Sequence, residues 1–385
     1  MKILLYGIGG GLENIESRIK SEHKILGYTD SYAQIESYRG RNFFKLGSLK
    51  SLDFDYIVIT VKNCKTAWDI QNKLVNDYKI PLEKIIPFWV YAERESWKFK
   101  METYDLEGMK GIILGNSYAL FGFLEEELEL PFINLSMPSQ DLFYSYQIYN
   151  RCMKEYGKRL NNLEYIILDL YDYIFFNIDI SLGYHFFDYF YYGGLYEPHN
   201  FEKNKNFSES LKDELFHTFG IILEKEDSKR KVLNKIFSNN NIQPIITPNN
   251  LWTHIEKDTL LAPDWIIGSS IRKRYESTIK ENMDIMTHFI ESIREKNKNM
   301  KIIFTLIPKY ITMEKATEPF MKEWKEEFYY VIEYLCDKYQ ALFWSYKQCR
   351  EISENPMFYW DARHLNTVGG RAMTAILNKG LQKIC

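Results

Sequence analysis

No stretch of about 18 consecutive apolar residues occurs in the 385-residue chain, so nothing in it reads as a membrane-spanning helix. Cysteine is scarce. The five residues at positions 64, 152, 336, 349 and 385 are odd in number and irregular in spacing. That argues against a disulfide framework and for a reduced, intracellular chain. The seven histidines include no pair at a helical metal-ligand spacing, so no metal is expected. Charge of one sign is also missing. A net charge of −3 provides no basic field for nucleic acid or an anionic membrane. The opening Met1-Lys2-Ile3-Leu4-Leu5-Tyr6 is too short for a signal sequence, and glycines follow at once, so the expected location is cytoplasmic.

What the chain does have is an ordinary globular balance, 45% hydrophobic and 26% charged, with a high aromatic content of 16% carried mostly by 29 tyrosines. Short apolar runs alternate with amphipathic stretches. Strands are expected at 2–6, 24–29, 56–61 and 84–90, with a helix over 65–77. After a charged stretch at 92–108 the rhythm restarts, with strands at 111–114, 131–135, 164–170, 301–307 and 341–345 and helices near 281–298 and 319–338. Strand–helix alternation predicts an α/β protein with parallel sheets. Two domains follow, a small Rossmann-like unit at 1–105 and a three-layer α/β/α unit at 108–385. Residues 175–275 break the pattern and read as an insertion on the second sheet. They contain an aromatic run at 184–192, read as the insertion's own small core in preference to rings that stack on sugar faces or pack against a partner subunit, and a Lys/Asn/Ser-rich stretch at 202–209.

Two places in the second domain carry chemistry. Gly115-Asn116-Ser117 follows the apolar run Gly111-Ile112-Ile113-Leu114, which sets Ser117 on a tight turn from strand to helix. A serine hydroxyl is a poor nucleophile unless a neighbouring base takes its proton. Near the C-terminus, Asp361-Ala362-Arg363-His364-Leu365-Asn366 places a carboxylate and an imidazole three residues apart, just before an apolar terminal helix. Ser117 as nucleophile, His364 as base and Asp361 as its orienting partner make a complete hydrolytic triad. An alternative reading takes Asp-x-x-His as a helix cap beside a surface histidine.

These blocks resemble those of the SGNH (GDSL-like) hydrolase superfamily over about residues 110–385. Gly115-Asn116-Ser117 is similar to its first block. Asp361-Ala362-Arg363-His364-Leu365-Asn366 is similar to its last, including the Leu-Asn of bacterial glycan O-acyl transferases and esterases. The resemblance implies a triad of Ser117, His364 and Asp361 and no required cofactor. It also implies an oxyanion hole from backbone N–H groups, with Ser136 in Asn134-Leu135-Ser136-Met137 as a candidate. The family's Asn in a Gly-x-Asn-Asp turn has no counterpart in Asp169-Leu170-Tyr171-Asp172. Tyr171 through its hydroxyl, or Asn177, would have to replace a donor worth about 3–4 kcal/mol.

In the first domain, Gly7-Ile8-Gly9-Gly10-Gly11-Leu12 follows a strand and Asp30 ends the next, as in a dinucleotide fingerprint whose third glycine is replaced by Leu12. The domain resembles the small N-terminal unit of sugar acetyltransferases that binds a nucleotide-sugar. That resemblance makes Gly7, Gly9, Gly10 and Asp30 its candidate ligand contacts. A tight turn in a purely structural sheet explains the same glycines. The expected function is a serine-dependent O-acyl, chiefly O-acetyl, esterase or transferase acting on a sugar or glycan precursor, with the acyl donor left open. The competing expectation is a catalytically idle scaffold that binds a nucleotide-sugar. An NAD-dependent oxidoreductase is disfavoured because no second mononucleotide half is present. The oligomeric state is open, a homo-oligomer included.

Overall fold

Each of the two sheets grows from a strand with no polar face. The computed structural model describes residues 1–89, 96–138, 140–178, 229, 231–237 and 274–384. The chain divides into two compact α/β units. In the first, β1 (Lys2–Tyr6) is central, and its Ile3, Leu4 and Leu5 are fully buried. A strand apolar on both faces suits the interior of a parallel sheet covered on both sides. It pairs in parallel with β2 (Lys24–Thr29) on one side and with β5 (Tyr56–Ile59) on the other. The hairpin of β3 (Ser37–Tyr38) and β4 (Arg41–Phe43) extends one edge, and β6 (Ile85–Pro87) closes the other. The order is β3-β4-β2-β1-β5-β6. Arg39 (φ +49°) and Gly40 (φ +73°) form the hairpin's turn, which the sequence reading did not anticipate.

The second unit contains an all-parallel sheet of order β11-β10-β9-β7-β8. Its strands are β7 (Gly111–Leu114), β8 (Phe132–Asn134), β9 (Tyr165–Asp169), β10 (Lys301–Leu306) and β11 (Leu342–Ser345). The chain runs from β7 outward to β8, then returns to the other side of β7 for β9. The order in which strands are added therefore reverses between β7 and β9, and a crevice opens beyond the C-terminal ends of strands at such a switch point. The segment after β7 carries Ser117, and the segment after β9 carries Tyr171.

Three expectations change. The charged stretch at 92–108 carries the division between the units at Ser96–Trp97 rather than at 105–108. Its described part holds the helix Ser96–Thr103, and Trp97, Met101 and Leu106 are buried in the second unit. Charges between these positions hide the apolar spacing. The helix expected from 319 begins at Ile311 and runs to Tyr339 through Pro319. Most of the 175–275 insertion, including the aromatic run at 184–192 and the stretch at 202–209, lies outside the described residues. Within it, Leu233, Ile236 and Phe237 join the core of the first unit, not the second sheet. Among the described residues, no helix is long and apolar enough to cross a membrane.

Candidate active site

The turn after β7 is built by steric necessity. Gly115 has φ +150°, and a Cβ there would lie 3.0 Å from the Cβ atoms of both Ala119 and Asp169. Only glycine passes so close to the neighbouring strand end. Asn116 then caps the helix Ser117–Gly122, its Oδ1 accepting the Tyr118 N–H at 2.9 Å. Ser117 is thereby fixed at the helix's first position.

The Asp361–His364 loop is shaped by its own carboxylate. Asp361 Oδ1 accepts the backbone N–H groups of Arg363 and His364, both at 2.7 Å, which folds the segment back on itself. The Trp360 N–H donates to the His364 carbonyl at 3.1 Å, and the Tyr310 N–H to the Ala362 carbonyl at 3.1 Å. Tyr359 and Ala362 are fully buried, and Leu365 nearly so. Asn366 caps the terminal helix Thr367–Gln382 through the Gly369 N–H at 2.9 Å. The Leu-Asn of this block is therefore an anchor and a cap.

These two loops meet although they are 247 residues apart. Ser117 Oγ lies 2.9 Å from His364 Nε2. His364 Nδ1 lies 2.8 Å from Asp361 Oδ2 and 3.1 Å from Oδ1. An ionised carboxylate can only accept, so Nδ1 carries the proton and Nε2 presents a lone pair to the serine hydroxyl. Burial pushes the Asp361 carboxyl up, but its bonds to the His364 ring and to the two backbone N–H groups outweigh this and leave it below its ordinary value. It thus stays ionised beside the imidazole.

The expected oxyanion donors fare differently. The Ser136 N–H donates to Asn134 Oδ1 at 3.0 Å. Asn134 Nδ2 is held by the Ala119 and Phe123 carbonyls, which fixes the amide's orientation and keeps the Ser136 N–H engaged. This corrects the expectation that Ser136 offers its backbone to the site. Asn177 is also engaged, its Oδ1 accepting the Tyr275 N–H at 2.9 Å. Tyr171 remains. It has φ +42°, an uncommon conformation for a bulky residue, and its backbone N–H is held by Asp169 Oδ2 at 3.2 Å. Its hydroxyl is buried with no partner among the described residues. Its ring stacks on Tyr118 with centroids 6.3 Å apart.

Sequence reasoning missed the ionisable groups around this site. Asp172, Lys309 and Lys347 form a buried network beyond the ends of β9, β10 and β11, joined by the half-buried Glu314 from the helix Ile311–Tyr339. Lys309 pairs with Asp172, and Lys347 bonds Glu314 Oε1 at 2.7 Å while lying 3.9 Å from Asp172. Burial opposes the charge on Asp172, but the two lysines win and hold it well below the usual carboxylate range. Asp169 goes the other way. Its burial pushes it up to about 7 despite bonds from the Thr305 hydroxyl and the Tyr171 N–H. No local motif marks these residues, because only the order of the strands brings them together.

In the first unit, the glycine turn and Asp30 do meet. Gly7 has φ +102°, and a Cβ there would lie 2.8 Å from Thr60 Oγ1. Space is open around Gly9 and Gly10. Asp30 Oδ2 accepts the Ile8 N–H at 3.3 Å and Oδ1 accepts the Tyr32 N–H at 2.9 Å, so its carboxylate clasps the turn. The helix that follows is only Leu12–Glu16.

None of the curated proteins matches this chain. Among solved structures, the chain is similar to the lipase Lip_vut3 from a goat rumen metagenome, at 11% identity and a TM-score of 0.30, over 70% of this chain and 96% of that one. The family model described as C2185-like, N-terminal, matches residues 1–86.

Proposed function

We propose that the second unit is a Ser-His-Asp acyl hydrolase or O-acyltransferase, with an O-acetyl group on a sugar or glycan precursor as its preferred substrate. The continuous relay from Ser117 Oγ through His364 to Asp361 carries this reading. The acyl and sugar preference rests on the resemblance of the last block to glycan O-acyl transferases and esterases. His364 Nε2 takes the Ser117 proton as Oγ attacks the acyl carbon, and the imidazolium formed is held by Asp361. Collapse of the tetrahedral intermediate breaks the bond to the sugar oxygen, which takes the proton back from His364. Water or an acceptor hydroxyl then attacks the acyl-serine, with His364 again as base, and Ser117 is regenerated.

The Ser117 N–H and the Tyr171 hydroxyl are the proposed oxyanion donors. Burial first, and the carboxylates of Asp172 and Asp141 next, hold the Tyr171 hydroxyl well above its ordinary value, so it stays protonated and able to donate. Labelling with a fluorophosphonate tests the reading, because the reagent mimics the acyl electrophile. Peptide mapping should place the adduct on Ser117, and His364→Ala should slow its formation strongly. Absence of any adduct would remove the reading. An adduct combined with negligible hydrolysis of p-nitrophenyl acetate would select transfer over hydrolysis.

A further inference from the structure

The base of the triad sits against three aromatic rings. The Tyr118 ring lies 5.0 Å from the His364 ring, centroid to centroid, at 34° between planes. The Trp360 ring lies 5.4 Å away at 31°. Both rings lie tilted against the imidazole rather than perpendicular to it. Phe121 meets it edge-on at 5.8 Å and also packs edge-on against Trp360. Tyr118 directly follows the nucleophile, and Trp360 directly precedes the acid. The chain neighbours of two triad members thus converge on the third.

Two physical consequences follow. Rings at this distance restrict rotation of the imidazole about its side-chain bonds, and the relay needs one orientation, with Nδ1 on Asp361 and Nε2 on Ser117. An aromatic face also attracts a cation within about 6 Å of its centroid, and more strongly when the site is desolvated. His364 becomes a cation only when it takes the serine proton, so this attraction is expressed as the reaction proceeds. We propose that Tyr118 and Trp360 are positioning residues for His364, holding its ring in the relay orientation and stabilising it as the imidazolium.

The other charges near this group are few. Asp361 contacts the imidazole directly. Arg363 is the adjacent residue and acts electrostatically on Tyr118, as do Asp172 and Lys347. Lys309 Nζ lies 6.0 Å from the Tyr118 ring. Substituting the rings leaves these charges in place, although Tyr118→Leu also removes the ring that faces Lys309 and stacks on Tyr171. Removing a face should therefore lower the affinity of His364 for a proton, while keeping a ring should preserve it.

The inference rests on the proposed triad chemistry, so the experiment has one arm that does not need it. Tyr118→Leu, Trp360→Leu and Trp360→Phe are compared with the wild-type chain. In the first arm, NMR of histidine-labelled protein follows the His364 titration. Both Leu variants should titrate about half a pH unit or more lower, and Trp360→Phe should stay close to wild type. In the second arm, the acid limb of the pH–rate profile for fluorophosphonate labelling of Ser117 should move by the same amount, with the plateau rate roughly threefold or more slower in the Leu variants. Natively folded Leu variants with an unchanged titration would overturn the inference. So would a Trp360→Phe variant that behaves like Trp360→Leu. If wild-type Ser117 takes no label while the titrations shift as expected, the failure belongs to the proposed reaction and the ring effect on His364 stands.

Discussion

Both units start alike, with a buried strand, a glycine turn and a short helix, yet their turns are satisfied in different ways. In the first unit the polar groups of the turn are used locally. Gly7 N–H bonds the Thr29 carbonyl, and Asp30 holds Ile8 and Tyr32. In the second unit the turn is satisfied at its cap by Asn116, but the next residue, Ser117, reaches a side chain 247 positions away. A glycine turn at a sheet switch point is thus a structural device first. It becomes a chemical one only where another loop delivers complementary groups to it.

The largest effects should follow from cutting that long-range connection. Ser117→Ala and His364→Ala should each abolish ester turnover, by about four to six orders of magnitude, without changing the far-UV spectrum. Asp361→Asn should keep the loop, because its remaining oxygen can still accept the Arg363 and His364 N–H groups. Its amide, however, would face Nδ1 with a second donor. That forces the other tautomer, and turnover should drop by about 10⁴. If Asp361→Asn retained more than a tenth of the wild-type rate, the orienting role of Asp361 would be wrong.

The buried network is the next largest effect. Lys309→Met removes one lysine from Asp172 and leaves a poorly compensated buried charge, a loss of about 3 kcal/mol. Combining it with Asp172→Asn should recover part of that loss, with a coupling of about 1–3 kcal/mol in a urea-denaturation cycle. Additive losses would mean that the two do not act as a pair. In the first unit, Glu16 pairs with Arg39 and Arg41, but both arginines are exposed, so substitutions there should show weaker coupling.

Why was the triad legible when this network was not? Strands such as β1, β7 and β10 were readable because each is a short run dominated by apolar residues, whereas β3 and β4, with Ser37, Arg41 and Asn42, offer no such run. Ser117, Asp361 and His364 were readable because each lies in a local motif whose neighbours have their own duties: Gly115 for clearance, Asn116 and Asn366 for caps, Leu365 for the core. Asp172, Lys309 and Lys347 follow three different strands, and only the order β11-β10-β9 places them together. The helix Leu142–Tyr156 was also missed, since its buried face mixes Tyr144, Ser145 and Tyr149 with Leu142, Ile148 and Cys152.

Asp169 gives a pH signature of intermediate size. With its folded value raised to about 7, its cost is absent below about pH 4, grows as pH rises from 4 to 7, and is constant above. Asp361 and Asp172 are lowered, so their contributions are present above about pH 4 and fade only below it. Between pH 4.5 and 7.5 the Asp169 effect therefore stands alone among these three. Asp169→Asn should flatten the decline in urea stability over that window, by roughly 2–4 kcal/mol. An unchanged slope would place the Asp169 carboxyl in a better solvated position than the one seen.

The smallest effect tests the local character of the first turn. Asp30→Ala removes two acceptors of backbone N–H groups, both at least partly open to solvent, which should cost about 1 kcal/mol in the stability of that unit. Because those bonds stay within the turn and its neighbouring strand end, the labelling rate of Ser117 should remain within about twofold of wild type. The same variant bears on the nucleotide-sugar ligand that the sequence leads one to expect in this unit. The open space at Gly9 and Gly10 lies beside this clasp, so a ligand seated there should lose affinity when the turn loosens, as calorimetry across a panel of nucleotide-sugars would show. Silence of the wild-type chain across that panel would leave the glycine turn a purely structural element. A large fall in Ser117 labelling by Asp30→Ala would break the contrast between the two units, because a group satisfied within one turn would then be governing chemistry built in the other.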